Sequence, residues 1–184
     1  MNLEAKIIIK KSFRKTISLS IEDDGIVLVR APSFMTRAQI EKFVKEKSGW
    51  LKKTLKKAKK RKEKAQRFNE LLDPKKTSEY RERARTLLTD RADYFAEKHN
   101  LDYTGIRISS AKTRWGSCNH KNGLNFNWKI LFAPPQVQDY LVTHELAHTV
   151  HKNHQRKFWQ LVEQMHPQYK ESRKWLRQNS HLLS

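Results

Sequence analysis

At 184 residues the chain suits one domain or one domain with an appendage, and 37% hydrophobic against 32% charged residues gives it a core with much of its length facing water. The single cysteine, Cys118, excludes an intramolecular disulfide and suits a reducing compartment. The N-terminal apolar run Ile7-Ile8-Ile9 is too short for a signal-peptide core or a membrane span, so a cytoplasmic protein with no membrane partner is expected.

Lys6 to Lys10 and Lys15 to Ile21 alternate apolar and polar residues, the pattern of half-buried strands. Asp23-Asp24-Gly25 is a hairpin turn signal, with Ile26 to Arg30 as the returning strand, ended by Pro32. Thr36 is a plausible N-cap for the helix that follows. That helix carries much of the net charge of +20: from Glu41 to Arg67 there are thirteen Lys/Arg and three Glu, a surplus of +10. Its first half is amphipathic, with Ile40, Val44, Trp50, Leu51, Leu55 and Ala58 at helical spacing. Lys59 to Lys64 has no apolar face. Two readings stand side by side for it, a solvated helix extension and a surface that contacts nucleic-acid phosphates. No side chains set out to read bases are visible.

After a short Asp73-Pro74 linker, Glu79 to His99 reads as a second long helix with Tyr80, Ala84, Leu87, Leu88, Tyr94 and Phe95 on its apolar side. Two strand-like pieces follow, Arg107 to Ser110 and Gly123 to Trp128. The stretch Arg114 to Cys118 between them reads as a turn, with Gly116 for backbone freedom and Trp115 for packing. A role for Arg114 near a substrate stays open. Cys118 is a soft metal donor by chemistry, but a structural role is preferred. The strand from Gly123 to Trp128 is expected either to pair at its edge with an extended peptide, bringing Asn125 to the substrate, or to be an ordinary strand with Asn125 and Asn127 on its wet face.

Pro134-Pro135 then open a helix containing His144-Glu145-Leu146-Ala147-His148. Two histidines four apart stand on one helical face and can reach one metal ion, and the glutamate beside the first can act on a water held there. The flanks Tyr140, Leu141, Val142, Leu146, Ala147 and Val150 are apolar, and polar groups buried among them need partners. A third ligand has two candidates, His151 and His154. On a continuing helix they would lie about 10 and about 15 Å from His144, too far to share an ion. The helix should therefore end just after His151, with Lys152-Asn153 turning the chain, Asn153 able to go left-handed, and His154 swinging back. His151 is preferred as a surface or supporting residue. Three protein ligands leave a fourth position open for water. Helices from about His154 and Pro167 close the chain, and Tyr169 is either a packed ring or an oxyanion donor.

Two stretches together resemble the YgjP-like metallopeptidase family: Thr113-Arg114-Trp115-Gly116-Ser117-Cys118, and Asp139 to His148 with Asn153-His154 and Phe158-Trp159. Pro167-x-Tyr169 and Trp175-Leu176 also fit. The resemblance implies Zn2+ held by His144, His148 and His154, with Glu145 as catalytic base. The metzincin group shares the histidine spacing but has glycine where this chain has His151, so the turn must be made differently. Family members also tend to carry a strand-rich stretch before the second long helix, which here looks abbreviated to Phe68 to Thr77.

The expected fold class is α+β: β-strands and a basic helix over residues 1–70, then a zincin-like core over 71–184, in which the active-site helix lies beside a small sheet. The expected activity is zinc-dependent hydrolysis of peptide bonds in a peptide or protein substrate. Two alternatives are a zinc hydrolase of nucleotides or another non-peptide substrate, and a nucleic-acid-binding protein with a structural zinc.

Overall fold

The computed structural model describes residues 6–22 and 25–183. It is an α+β protein, and it divides into two compact units, 1–64 and 65–184.

The first unit is built on a three-stranded sheet in the order β1-β3-β2, made by β1 (Ile7–Ser12), β2 (Ser18–Ile21) and β3 (Val27–Pro32). β2 and β3 pair antiparallel, as a hairpin should, and Gly25 sits at φ +83° between them. Asp23 and Asp24 of the expected turn lie outside the described residues. β1 returns parallel to β3. The central position of β3 explains its apolar run, since Val27, Val29 and Ala31 are fully buried. Helix α1 (Arg37–Glu46) starts at Thr36, whose hydroxyl accepts from Gln39 N while the Gln39 side chain accepts from Thr36 N. Its Ile40 and Val44 join Leu51 in this unit's core.

The basic helix is not continuous. It stops at Glu46, Lys47 closes it, and α2 (Ser48–Leu71) begins one residue later. The interruption rotates the apolar stripe, so Leu51 is buried while Trp50, expected beside it, is 48% exposed.

The second unit holds α3 (Thr77–His99), a sheet, and three further helices. Ala84, Leu88, Ala92, Phe95 and Ala96 form the buried stripe of α3, and Asn100 ends it in the left-handed conformation at φ 53°. Tyr94, expected on that stripe, is exposed. The sheet is ordered β4-β6-β5, from β4 (Gly105–Ser109), β5 (Gly116–Cys118) and β6 (Gly123–Asn127). β6 runs parallel to β4 and antiparallel to β5.

This order corrects two expectations. Gly116 to Cys118 is a strand and not part of a turn, and β6 is the central strand, so its edges are both taken. Asn127 is also not on a wet face. It is 1% exposed, its amide donates to Ala111 O, and its carbonyl oxygen accepts from Lys129 N. The turn between β5 and β6 is built by Asn119, whose side chain accepts from Lys121 N and Gly123 N, and by Asn122 at φ 61°.

Helix α4 (Pro135–Val150) is the spine of this unit. Pro135 occupies the first turn, where its missing N–H costs nothing. Helix α4 is buried on nearly every side, by α3, β5, α5 (Arg156–Met165) and α6 (Tyr169–Gln178). Its polar residues are held accordingly. Gln138 donates to the carbonyls of Ile130, Leu131 and Ala133, and Thr143 donates to Tyr140 O. Asp139 lies 3.3 Å from Arg91. Among the described residues, no helix is long and apolar enough to cross a membrane.

Candidate metal centre

Helical spacing puts His144 and His148 on one face of α4, their ring centroids 5.1 Å apart. The helix ends at Val150. His151 is its C-cap in an extended conformation (φ −120°), and its N–H still donates to Ala147 O. The next residues carry the chain back, and His154 Nε2 arrives 3.2 Å from His144 Nε2. One nitrogen from each of His144, His148 and His154 lies within 4.8 Å of the others. The turn is made without a left-handed Asn153: the positive-φ residues other than glycine, among those described, are Asn100 and Asn122.

Each ring is oriented from outside. His148 Nδ1–H donates to His151 O at 2.9 Å, which leaves its Nε2 as the electron-pair donor. Tyr140 Oη lies 3.3 Å from His144 Nδ1. Trp159 donates to His154 O at 3.0 Å and so ties the returning segment to α5. Fully buried Phe158 packs against all three imidazoles, with centroids at 4.9, 4.4 and 4.7 Å from His144, His148 and His154.

Electrostatics favour neutral rings. Burial, then the neighbouring imidazoles and Arg173, hold His144 down to about 3. Burial also lowers His148 and His154. Three neutral nitrogens converging on one point, two of them 3.2 Å apart, fit a soft-to-borderline cation far better than they fit one another. Among the described residues no fourth His, Cys, Asp or Glu joins the cluster. A structural zinc site normally has four protein ligands, so this geometry favours an open site.

Glu145 lies beside this cluster and is 4% exposed, and its Oε2 has no hydrogen-bond partner among the described residues. An orphaned buried carboxylate is costly unless something else meets it. Burial pushes its carboxyl up to about 8, and the Arg114 charge works against that shift. Space for the carboxylate comes from β5: a Cβ at Gly116 would lie 2.6 Å from Glu145 Oε1. Gly116 is therefore needed for close approach and not for turn flexibility.

The other singled-out residues lie at different distances from the centre. Arg114 is exposed, near enough for its charge to act on Glu145. Asn125 is on β6 opposite Ser117, its amide 3.5 Å from Ser117 Oγ. Strand alternation sets these residues on the face away from Gly116, so Asn125 is not brought to the histidines. Tyr169 is buried and stacks on Trp159 at 5.5 Å, one ring removed from them. The Cys118 thiol is half-buried, donates to Asn119 O and lies 3.9 Å from Lys152 Nζ, outside the cluster. Trp115 packs against Trp175 and donates to Leu176 O. Three participants escaped sequence reasoning: Gly116 as the cradle, Phe158 as the platform and Tyr140 beside His144. The i−4 spacing of Tyr140 from His144 was the one local signal available.

The YgjP-like, metallopeptidase domain family matches residues 15–77 and 72–179. No curated protein matches. Among solved structures, the metallopeptidase zymogen abylysin of Pyrococcus abyssi is 21% identical over 49% of this chain and 92% of its own, with a TM-score of 0.45. The zymogen jannalysin of Methanocaldococcus jannaschii is 20% identical over 50% of this chain and 94% of its own, with a TM-score of 0.44. Because the family match extends over both compact units and takes in the histidine cluster, the chain belongs to the YgjP-like metallopeptidases.

Proposed function

We propose that the chain is a zinc-dependent peptidase in which His144, His148 and His154 hold the ion and Glu145 is the general base. The observation that carries this reading is the buried Glu145 carboxyl, its Oε2 without a hydrogen-bond partner among the described residues, beside three converging imidazole nitrogens. The bound ion supplies Lewis acidity, lowering the pKa of water and polarising a carbonyl.

The chain's own residues do the rest. Glu145 accepts a proton from the attacking water and returns it to the leaving amine. Gly116 leaves the carboxylate room to stand in that position. Phe158 and the His151 carbonyl hold the imidazoles in place and keep water from their inner side. β5 has one unpaired edge among the described residues. An extended peptide that pairs there comes to lie next to Gly116 and hence to Glu145.

Substitution of single histidines tests the ligand set. His148→Ala and His154→Ala should each lose zinc and cleavage of an unfolded protein, while His151→Ala, which keeps the backbone carbonyl, should retain zinc. Zinc loss in His151→Ala with retention in His154→Ala would refute the assignment.

A further inference from the structure

The cation nearest the histidine cluster on α6 is Arg173. Its guanidinium lies 4.4 Å from the centroid of the Trp159 ring. That indole is 5.6 Å from His154 and 5.9 Å from His144, centroid to centroid. The indole is itself fixed, by its bond to His154 O and its stack on Tyr169. Arg173 is thus held about one ring away from two of the three imidazoles, and its charge reaches His144, His154 and Tyr140.

Arg173 is exposed, and among the described residues it has no carboxylate partner. A guanidinium stacked on an aromatic face keeps its N–H fork free at the rim of the ring plane. Its neighbours on α6, Lys170, Lys174 and Arg177, add charge of the same sign, and Glu171 is the one acid of that helix. Arg114 stands on the Glu145 side of the same site. The surroundings of the centre are therefore cationic, and Arg173 is the member of α6 laid over Trp159, the ring that adjoins His144 and His154.

We propose that Arg173, laid over Trp159 beside His144 and His154, binds a carboxylate of the peptide substrate and thereby makes the enzyme prefer an acidic side chain or a free C-terminus near the scissile bond. This rests on the peptidase reading above. A fork of N–H donors matches a carboxylate in shape as well as charge, and the ring beneath it removes much of the entropy cost of holding the fork still. Arg173 makes its contact with a part of the substrate that does not react, so its effect belongs in substrate binding.

The test uses blocked peptides that differ only in Glu or Gln at one position, and a third, the Gln peptide with a free C-terminal carboxylate in place of the amide. The zinc-loaded parent should cleave one or both carboxylate peptides roughly tenfold better in kcat/KM than the Gln amide, mostly through KM. Preference for the Glu amide assigns the carboxylate to a side chain, and preference for the Gln free acid assigns it to the C-terminus. Arg173→Gln should bring the ratio close to one, Arg173→Lys should restore part of it, and Arg173→Glu should turn it toward a Lys-containing peptide. A ratio that Arg173→Gln leaves unaltered overturns the proposal. So does an equal fall in kcat for every peptide, which would put Arg173 on the reacting atoms. The same peptides titrated against zinc-loaded Glu145→Gln protein read selection without turnover. Absence of hydrolysis in the parent would then count against the peptidase reading alone, and absence of a Glu-over-Gln difference in Kd against Arg173.

Discussion

Gly116→Ala should separate hydrolysis from metal holding. The backbone at Gly116 is ordinary strand, outside the positive-φ glycines Gly25 and Gly105, so alanine brings no conformational strain. The whole effect is steric. The new Cβ would lie 2.6 Å from Glu145 Oε1 and 3.0 Å from both Cδ and Cγ. Restoring ordinary contact at 3.4 Å moves the carboxylate by most of an ångström, in a site where Glu145 is only 4% exposed. A misplacement of about 1 Å costs on the order of 10²-fold in rate, and overpacking costs about 1–3 kcal/mol. The histidines come from α4 and the segment after it, and the bonds that orient them come from Tyr140, His151 and Trp159, not from β5. The assay is the initial rate on an unfolded protein substrate, beside zinc content and the urea midpoint. The expected result is a rate lower by about 10²-fold with zinc content unaltered. Cleavage at the parental rate, or loss of zinc along with activity, would show that Gly116 does not act through the position of the Glu145 carboxylate.

Two further outcomes follow from the same site. Phe158→Ala removes a fully buried ring that touches all three imidazoles; it should cost about 3–5 kcal/mol of stability and weaken zinc binding, read by denaturant unfolding and by competition with a zinc chelator. Acidity of the metal-free protein gives the second. The Glu145 carboxyl is raised in the folded state from 4.5 to about 8, so the stability it contributes is full below 4.5 and is lost as pH rises toward 8. His144, lowered from 6.5 to about 3, acts oppositely, and its opposing effect fades as pH rises from 6.5 toward 8 because the unfolded imidazole loses its proton there. In that window the urea midpoint of the metal-free parent should fall with pH, and that of Glu145→Gln should fall much less; parallel curves would show that Glu145 is not the titrating group.

What was legible in the sequence was local. The i, i+4 histidines, the proline-opened helix and the Thr36 cap each depend on residues within a turn or two, and helical geometry converts such spacing directly into position. The need for a break before His154 could also be reasoned, because a 1.5 Å rise per residue forbids the alternative. The manner of the break could not: His151 ends the helix in an extended conformation, where a left-handed Asn153 was expected. Strand order was the larger gap. Gly116-Ser117-Cys118 has the composition of a turn, and only its pairing with β6 makes it a strand and pushes β6 to the centre. The roles of Gly116 and Arg173 depend on contacts with residues 29 and 14 positions away, Glu145 and Trp159, and no spacing rule announces those. The helix interruption at Lys47 is followed by Ser48-Gly49, a weak signal inside an otherwise continuous helical pattern, and its consequence, an exposed Trp50, appears only in the structure.

The most direct measurement is the cleavage rate of zinc-loaded Glu145→Gln on an unfolded protein, with zinc content determined on the same sample. Glutamine keeps the shape of the side chain beside Gly116 and removes its capacity to take a proton. Zinc should stay undiminished and the rate should fall by about 10²-fold or more, the scale of general acid–base catalysis. Cleavage at the parental rate with zinc bound would contradict the role of Glu145 as general base.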